Sequence, residues 1–180
     1  MAPRFKSALV VGGTGMLAEA TRFVAAHSER VTLISRRAVA ASMWLGIEAS
    51  DACDADWTDE SSFKSAVEQR LAETRPDLAL LWIHASGHCI LPWLLEKLAR
   101  GPSLVVHVRG TASGDPRLGN DEVDCIALRS PSLCLVTVVL GSVRLPQGGR
   151  RWLTDAEISA GAIEAICTAV NVIVGEIDDS

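Results

Sequence analysis

The segment richest in chemistry in this 180-residue chain is residues 12–18, Gly12-Gly13-Thr14-Gly15-Met16-Leu17-Ala18. It follows a short β-branched apolar run and opens a helical pattern. It reads as Gly-x-x-Gly-x-x-Ala from Gly12 or as Gly-x-Gly-x-x-Ala from Gly13. Either spacing supplies positive φ for a tight turn and lets the backbone approach a pyrophosphate. Ala18 is small enough for close helix–strand packing, and the helix N-terminus faces the anion. The expected contacts are Gly12, Thr14, Gly15, Met16 and Leu17. Glycines at this spacing are a weak signal alone, and a strong one at the first strand-to-helix junction of an alternating chain.

A dinucleotide site chooses its ribose about 20 residues further on, where an acid holds the hydroxyls of NAD. This chain has Ser35, Arg36 and Arg37 there and no acid. A serine can hydrogen-bond a 2′-phosphate, and a guanidinium can pair with it and stack on adenine. The expected cofactor is therefore NADP(H).

Groups able to move a proton or hold a substrate fall at the carboxyl ends of the later strands. His84, Ser86, His88 and Cys89 follow the fourth strand, Arg109, Thr111 and Ser113 the fifth, and Ser142 and Arg144 the sixth. His84 is the titratable choice, because histidine is poised near neutral pH. Packing on the cofactor or a hydrogen bond inside the sheet is its alternative. Arg109 can clamp a carboxylate or a diphosphate, or form a structural salt bridge. His107 reads as a buried, hydrogen-bonded strand residue. Trp82 and Trp93 read as core, whereas Trp152 precedes the last helix and could close over a cofactor or substrate.

These groups need a frame that places strand ends side by side. Strands are expected at residues 7–11, 31–35, within 46–53, and at 78–84, 104–108 and 133–140. Helices are expected at 16–27, 38–45, 59–73 and 91–100. A final helix begins at Thr154, where Thr154-Asp155-Ala156-Glu157 spells a capping box, and its apolar residues continue to Val174. This alternation predicts an α/β fold, a doubly wound parallel β-sheet of six or seven strands with helices on both faces, over a single domain of residues 1–180. Residues 111–130 form the longest irregular stretch, and residues 146–151 are a candidate flap. The last helix is apolar over more than one stripe, which predicts burial on two sides and a homodimer.

The motifs then carry a resemblance. Residues 12–18, Asp56-Trp57 after the third strand, and His84-Ala85-Ser86-Gly87 after the fourth make the chain similar to the short-chain dehydrogenase/reductase (SDR) superfamily. The resemblance implies a Rossmann fold and an aspartate on the adenine amino group, at Asp56, with Asp54 a competing alignment. His84 to Gly87 resembles a diverged Asn-Asn-Ala-Gly, so that His84, Ala85 and Ser86 line the cofactor with Trp57. The family's catalytic serine would correspond to Thr111 or Ser113. One departure is large. The main branch uses a Tyr-x-x-x-Lys pair, and this chain has no tyrosine, with Lys6, Lys64 and Lys97 all in other elements. The resemblance is therefore to atypical members.

The resulting expectation is an NADP(H)-dependent oxidoreductase that reduces a small carbonyl or imine-type substrate, with His84, Arg109 and Ser113 as catalytic candidates. An iminium substrate arrives already protonated and needs no tyrosine acid. The alternatives are a noncatalytic NADP(H)-binding sensor and a partner subunit that keeps only the fold. Composition excludes other classes. With 48% hydrophobic and 22% charged residues and a net charge of -5, the chain reads as one soluble cytoplasmic domain without a nucleic-acid footprint. No run is long enough to span a bilayer, and nothing resembles a secretory leader. Five cysteines without Cys-x-x-Cys spacing read as reduced thiols, mostly buried, and not as a metal site. No Gly-x-Ser-x-Gly elbow points to a hydrolase.

Overall fold

The computed structural model describes residues 3–87, 89–101, 103–110 and 121–177. His88, Thr111 and Ser113 lie outside the described residues. In chain order the elements are β1 (Phe5–Val11), α1 (Ala18–His27), β2 (Ser28–Ser35), α2 (Ala38–Leu45), β3 (Ala52–Asp54), α3 (Glu60–Glu73), β4 (Leu78–Trp82), α4 (Ile90–Leu98), β5 (Ser103–Gly110), α5 (Asp121–Arg129), β6 (Leu133–Leu140), β7 (Ser142–Arg144), β8 (Arg150–Trp152), α6 (Asp155–Thr168) and β9 (Val172–Val174).

Seven strands form one parallel sheet in the order β3-β2-β1-β4-β5-β6-β9, and β7 and β8 pair as a separate antiparallel hairpin. A sheet covered on both faces needs strands that are apolar on both sides. Residues 8–11 of β1 and 78–81 of β4 meet that need, each with 1% exposure or less. Alternate residues then feed two cores. Val10, Leu80, Val106 and Val138 pack with the apolar residues of α1, α2 and α6. Leu9, Val11, Leu81 and Val105 pack with those of α3, α4 and α5. The expected doubly wound sheet is therefore present, with seven strands.

The order of the strands decides where a ligand can sit. After β3 at one edge the chain returns to lay β4 against the free side of β1, with Val11 beside Leu81. Crossovers leave β1 toward one side and β4 toward the other, which opens a crevice at their carboxyl ends.

Three expectations about elements are corrected. Residues 121–129, placed in the irregular stretch, form α5, with Val123 and Ile126 buried against α4 and the sheet. The last helix stops at Thr168, and Ala169 leaves it in the left-handed conformation (φ 52°). Residues 172–174, expected on that helix, form β9 beside β6. The cysteines, expected mostly buried, are in no disulfide, but Cys89, Cys125, Cys134 and Cys167 are exposed, with only Cys53 partly buried.

The start of α6 is as the sequence spells it. The Thr154 hydroxyl accepts from the Glu157 amide, and the Glu157 carboxylate accepts from the Thr154 amide at 2.8 Å. Arg151 adds a two-pronged ion pair to the same carboxylate, both contacts at 2.9 Å. Arg151 first, and then the Thr154 amide, hold the Glu157 carboxyl down to about 2. Replacing Thr154 with Ala removes one cap and loosens the other. Urea unfolding should register a loss of about 1 kcal/mol, within the range for cap removal; an unchanged midpoint would show that packing alone fixes this end.

Candidate functional site

The glycine turn lies at the crevice, and its glycines divide the work. Gly12 takes φ +76°, and a Cβ there would stand 2.2 Å from the Trp82 carbonyl oxygen of β4. Its amide donates to the Ile34 carbonyl of β2 at 3.0 Å. Gly13 is closed on the other side, where a Cβ would meet the Thr21 hydroxyl and a Val10 methyl, both at 2.4 Å. Thr21 in turn donates to the Gly13 carbonyl at 2.8 Å. Gly15 differs, being exposed with nothing within 4 Å of its would-be Cβ.

Close approach thus belongs to Gly12 and Gly13, positive φ to Gly12, and open backbone to Gly15. The Ala18 amide, first in α1, donates to the Gly15 carbonyl at 2.8 Å, and no side chain caps the helix, the arrangement in which the remaining first-turn amides can meet an anion. Met16 is held from behind, its carbonyl accepting from the Ser159 hydroxyl of α6 at 2.9 Å. Leu17 needs correction as a contact residue. Its side chain is fully buried in the core, so only its backbone can take part. Thr14 is half-buried on the turn.

At the end of β2, Ser35 is 4% exposed and its hydroxyl accepts from the Arg37 amide at 3.3 Å. It shapes the turn that presents Arg36 and Arg37, both exposed. The two aspartates after β3 separate cleanly. Asp54 accepts from the Val39 amide at 2.8 Å and so anchors the start of α2. Asp56 forms an Asx turn with the Thr58 amide at 3.0 Å. That bond, with a smaller contribution from the nearby Arg36, holds its carboxyl below the ordinary value. Asp56 is the aspartate that lies within reach of the Arg36 charge.

Trp57 is a second correction. Expected to line the cofactor, it is 9% exposed and packs in the core, with its indole N–H donated to the Ser86 hydroxyl at 3.0 Å. It supports the fourth-strand motif from beneath, and Gly87 is a glycine because a Cβ there would lie 2.9 Å from the Trp57 ring. The strand ends at Trp82, so His84 stands beyond it and is exposed, as is Ser86. Ala85 begins the short 3-10 turn Ala85–Gly87. Sequence reasoning took Trp82 for core alone. Its ring is partly buried, its carbonyl faces Gly12, and its indole N–H donates to His84 Nε2 at 3.2 Å.

Further along the edge, Arg109 is half-buried near the end of β5. Trp152 of β8 is half exposed, and its ring reaches the vicinity of Gly110, where an added Cβ would lie 4.0 Å away. His107 belongs to the same strand but is 9% exposed between Leu81 and Thr137 of the neighbouring strands. Burial first, and then the Arg109 charge, push its imidazole down to about 4. His107 is thus a neutral strand residue at physiological pH.

At the opposite end of the sheet a cavity of about 600 Å³ is lined by residues including Lys6, Glu68, Arg75, Lys97 and Arg100. Arg75 donates to the Arg100 carbonyl just past α4, and Lys97 pairs with Glu68. Cations at helix C-termini answer the exposed carbonyls there, and that local role accounts for both.

No protein-family model matches the sequence, and no curated protein matches it either. Solved structures match its fold over nearly their whole length. A short-chain dehydrogenase/reductase from Serratia marcescens superposes with a TM-score of 0.66 at 16% identity, covering 97% of this chain and 98% of that one. An NADH-dependent reductase complexed with NAD gives 0.60 at 15%, with 96% of each chain covered. A short-chain dehydrogenase/reductase family oxidoreductase from Brucella ovis, in complex with a partially ordered NAD, gives 0.60 at 14%, covering 94% of this chain and 99% of that one. At these identities the likeness establishes the fold alone: the chain has a Rossmann-like α/β fold, similar to that of these solved structures.

Two expected outcomes follow from this geometry. Gly12→Ala should unfold the protein or lower its stability by several kcal/mol, since positive φ and a blocked Cβ coincide. Gly15→Ala should leave the melting temperature within about 2 °C, because an isolated surface substitution costs little. Equal losses for the two would contradict the division between closed and open glycines. His107 sets an acid limit. Its proton affinity is depressed in the folded state, so the unfolded chain binds the extra proton below 6.5. Stability should therefore fall by about 2–3 kcal/mol as pH drops from 7 to 4.5. Denaturant unfolding at both pH values should show a shallower fall in His107→Leu, and parallel curves would refute the assignment.

Proposed function

We propose that this chain is an NADP(H)-dependent oxidoreductase that reduces a small carbonyl or imine-type substrate at the carboxyl edge of β4 and β5. The observation that carries the reading is the pairing of an open Gly15 and an uncapped α1 with two exposed guanidiniums, Arg36 and Arg37, at the next strand end. The Gly12–Ile34 hydrogen bond fastens these two strand ends together. A dinucleotide diphosphate fits the first feature, and a 2′-phosphate the second. Two solved structures of this fold hold NAD; the arginines in place of a ribose-binding acid are what favour NADP(H) here.

A bound nicotinamide supplies the hydride. The chain's own residues hold and screen the reactants. The backbone at Gly15 and the first-turn amides of α1 beyond Ala18 receive the diphosphate, Arg36 and Arg37 the 2′-phosphate, and Asp56 the adenine amino group. His84 and Ser86 line the crevice beyond β4. Arg109 stands where it can hold an anionic group of the substrate, and Trp152 can cover it. Ser113 stays a candidate on chain position alone. With no tyrosine in the sequence, an imine-type substrate is favoured, because its protonated form accepts a hydride and becomes an amine without a proton from the protein. The same absence favours one second reading, a noncatalytic NADP(H) sensor.

Calorimetric titration tests the first step. NADPH should bind more tightly than NADH, and Arg36→Asp should weaken NADPH by roughly 10- to 100-fold, the scale of a lost charge-assisted contact. Gly15→Ala should weaken both nucleotides while leaving the fold intact. Binding of neither nucleotide would sink the proposal. Oxidation of NADPH with a cyclic imine separates the enzyme from the sensor: binding without turnover of imines or aldehydes favours the sensor.

A further inference from the structure

His84 sits between two indoles. The Trp82 ring meets it edge-on, with centroids 5.0 Å apart and planes at 74°. The Trp57 ring lies 6.2 Å away and tilted by 37°. The indole N–H groups are assigned separately: Trp57 donates to Ser86, and Trp82 donates to His84 Nε2. An indole nitrogen donates and cannot accept. The Nε2 atom that receives this bond must therefore carry a lone pair, which leaves the proton of the neutral ring on Nδ1. The Trp82 backbone is held in β4 and pressed against Gly12, so its indole starts from a fixed point.

We propose that Trp82 is a positioning residue that fixes His84 in its Nδ1–H tautomer, making it a hydrogen-bond donor to an acceptor oxygen of the bound nucleotide. The role of the donor rests on the proposed nucleotide site; the tautomer itself does not. His84 stands exposed just past β4, two residues beyond Trp82, whose carbonyl is pressed against Gly12. A phosphate or ribose oxygen is the acceptor chemistry that such a donor suits. The arrangement changes what His84 does. With Nε2 engaged by Trp82, the imidazole offers one N–H and no second nitrogen to relay a proton. It binds; it does not act as the acid of the reaction. An imidazole free of such a partner distributes its proton between both nitrogens, and a site that bound through either one would meet a mixture.

Long-range proton–nitrogen NMR spectra of the nucleotide-free protein at pH 8 read the tautomer directly, with His84→Asn identifying the resonance. Nδ1–H is expected in the native chain, and Trp82→Phe, which keeps an aromatic ring in place, should shift the ring toward Nε2–H. Nε2–H in the native chain, or an unchanged tautomer in Trp82→Phe, would overturn the lock. These spectra decide the matter even if NADPH fails to bind, so loss of the site reading and loss of the lock are distinguishable. Calorimetry with NADPH then tests the donor. Trp82→Phe should weaken binding roughly 3- to 10-fold, as for one hydrogen bond, and should have no further effect in the His84→Asn background. Additive losses in the double variant would show that Trp82 acts by packing and would overturn its role through His84.

Discussion

The contact on which everything else depends is backbone against backbone: Gly12 of the turn against the carbonyl of Trp82. It leaves no room for a methyl group. It occurs where β1 and β4 lie side by side, at the point where the order of the sheet reverses. Because the two strand ends touch, the glycine turn and the residues after β4 share one crevice. Because the Gly12 amide also bonds to Ile34, the arginines after β2 join the same rim. Three distant stretches of sequence thus converge through one residue that has no side chain.

Around that contact, polar groups sort into those already satisfied by the fold and those left open. Ser35, Asp54, Thr21 and Trp57 are engaged with backbone or neighbouring side chains. Arg36 and Arg37 remain exposed, and so does Gly15. The engaged group holds the shape, and the open group is what a ligand can meet. This distinction also separates the two histidines. His107 is enclosed and neutral by desolvation, whereas His84 is exposed and given a single donor by a neighbour.

Much of this was legible in the sequence, and the failures have physical causes. Alternating apolar runs revealed the parallel sheet, and a glycine cluster at the first junction marked the turn. Asp54 and Asp56 could not be separated by spacing alone, since only the position of α2 decides which one becomes a cap. Helix α5 is hard to see because residues 111–120 before it carry Gly114, Pro116 and Gly119, which blur where periodicity begins. The end of α6 was misplaced because apolar residues continue past it. The signal was there: alanines give way at 170–174 to Val-Asn-Val-Ile-Val, whose β-branched residues favour a strand. The exposure of four cysteines and the burial of Leu17 and Trp57 depend on which face each residue takes, and short apolar runs do not specify that. The link between Trp82 and His84 has no sequence signature, as it arises where the strand ends and the chain turns back.

The hydrogen bond from Ser159 to the Met16 carbonyl spans 143 positions of sequence. It ties the glycine turn to the last helix, and that gives the molecule a birth order. During synthesis the first strand and its glycines emerge long before α6 exists, and contacts at such separation form late in folding. The support behind Met16 is therefore in place only once α6 has docked. A nascent or truncated chain that displays every glycine would still lack that support.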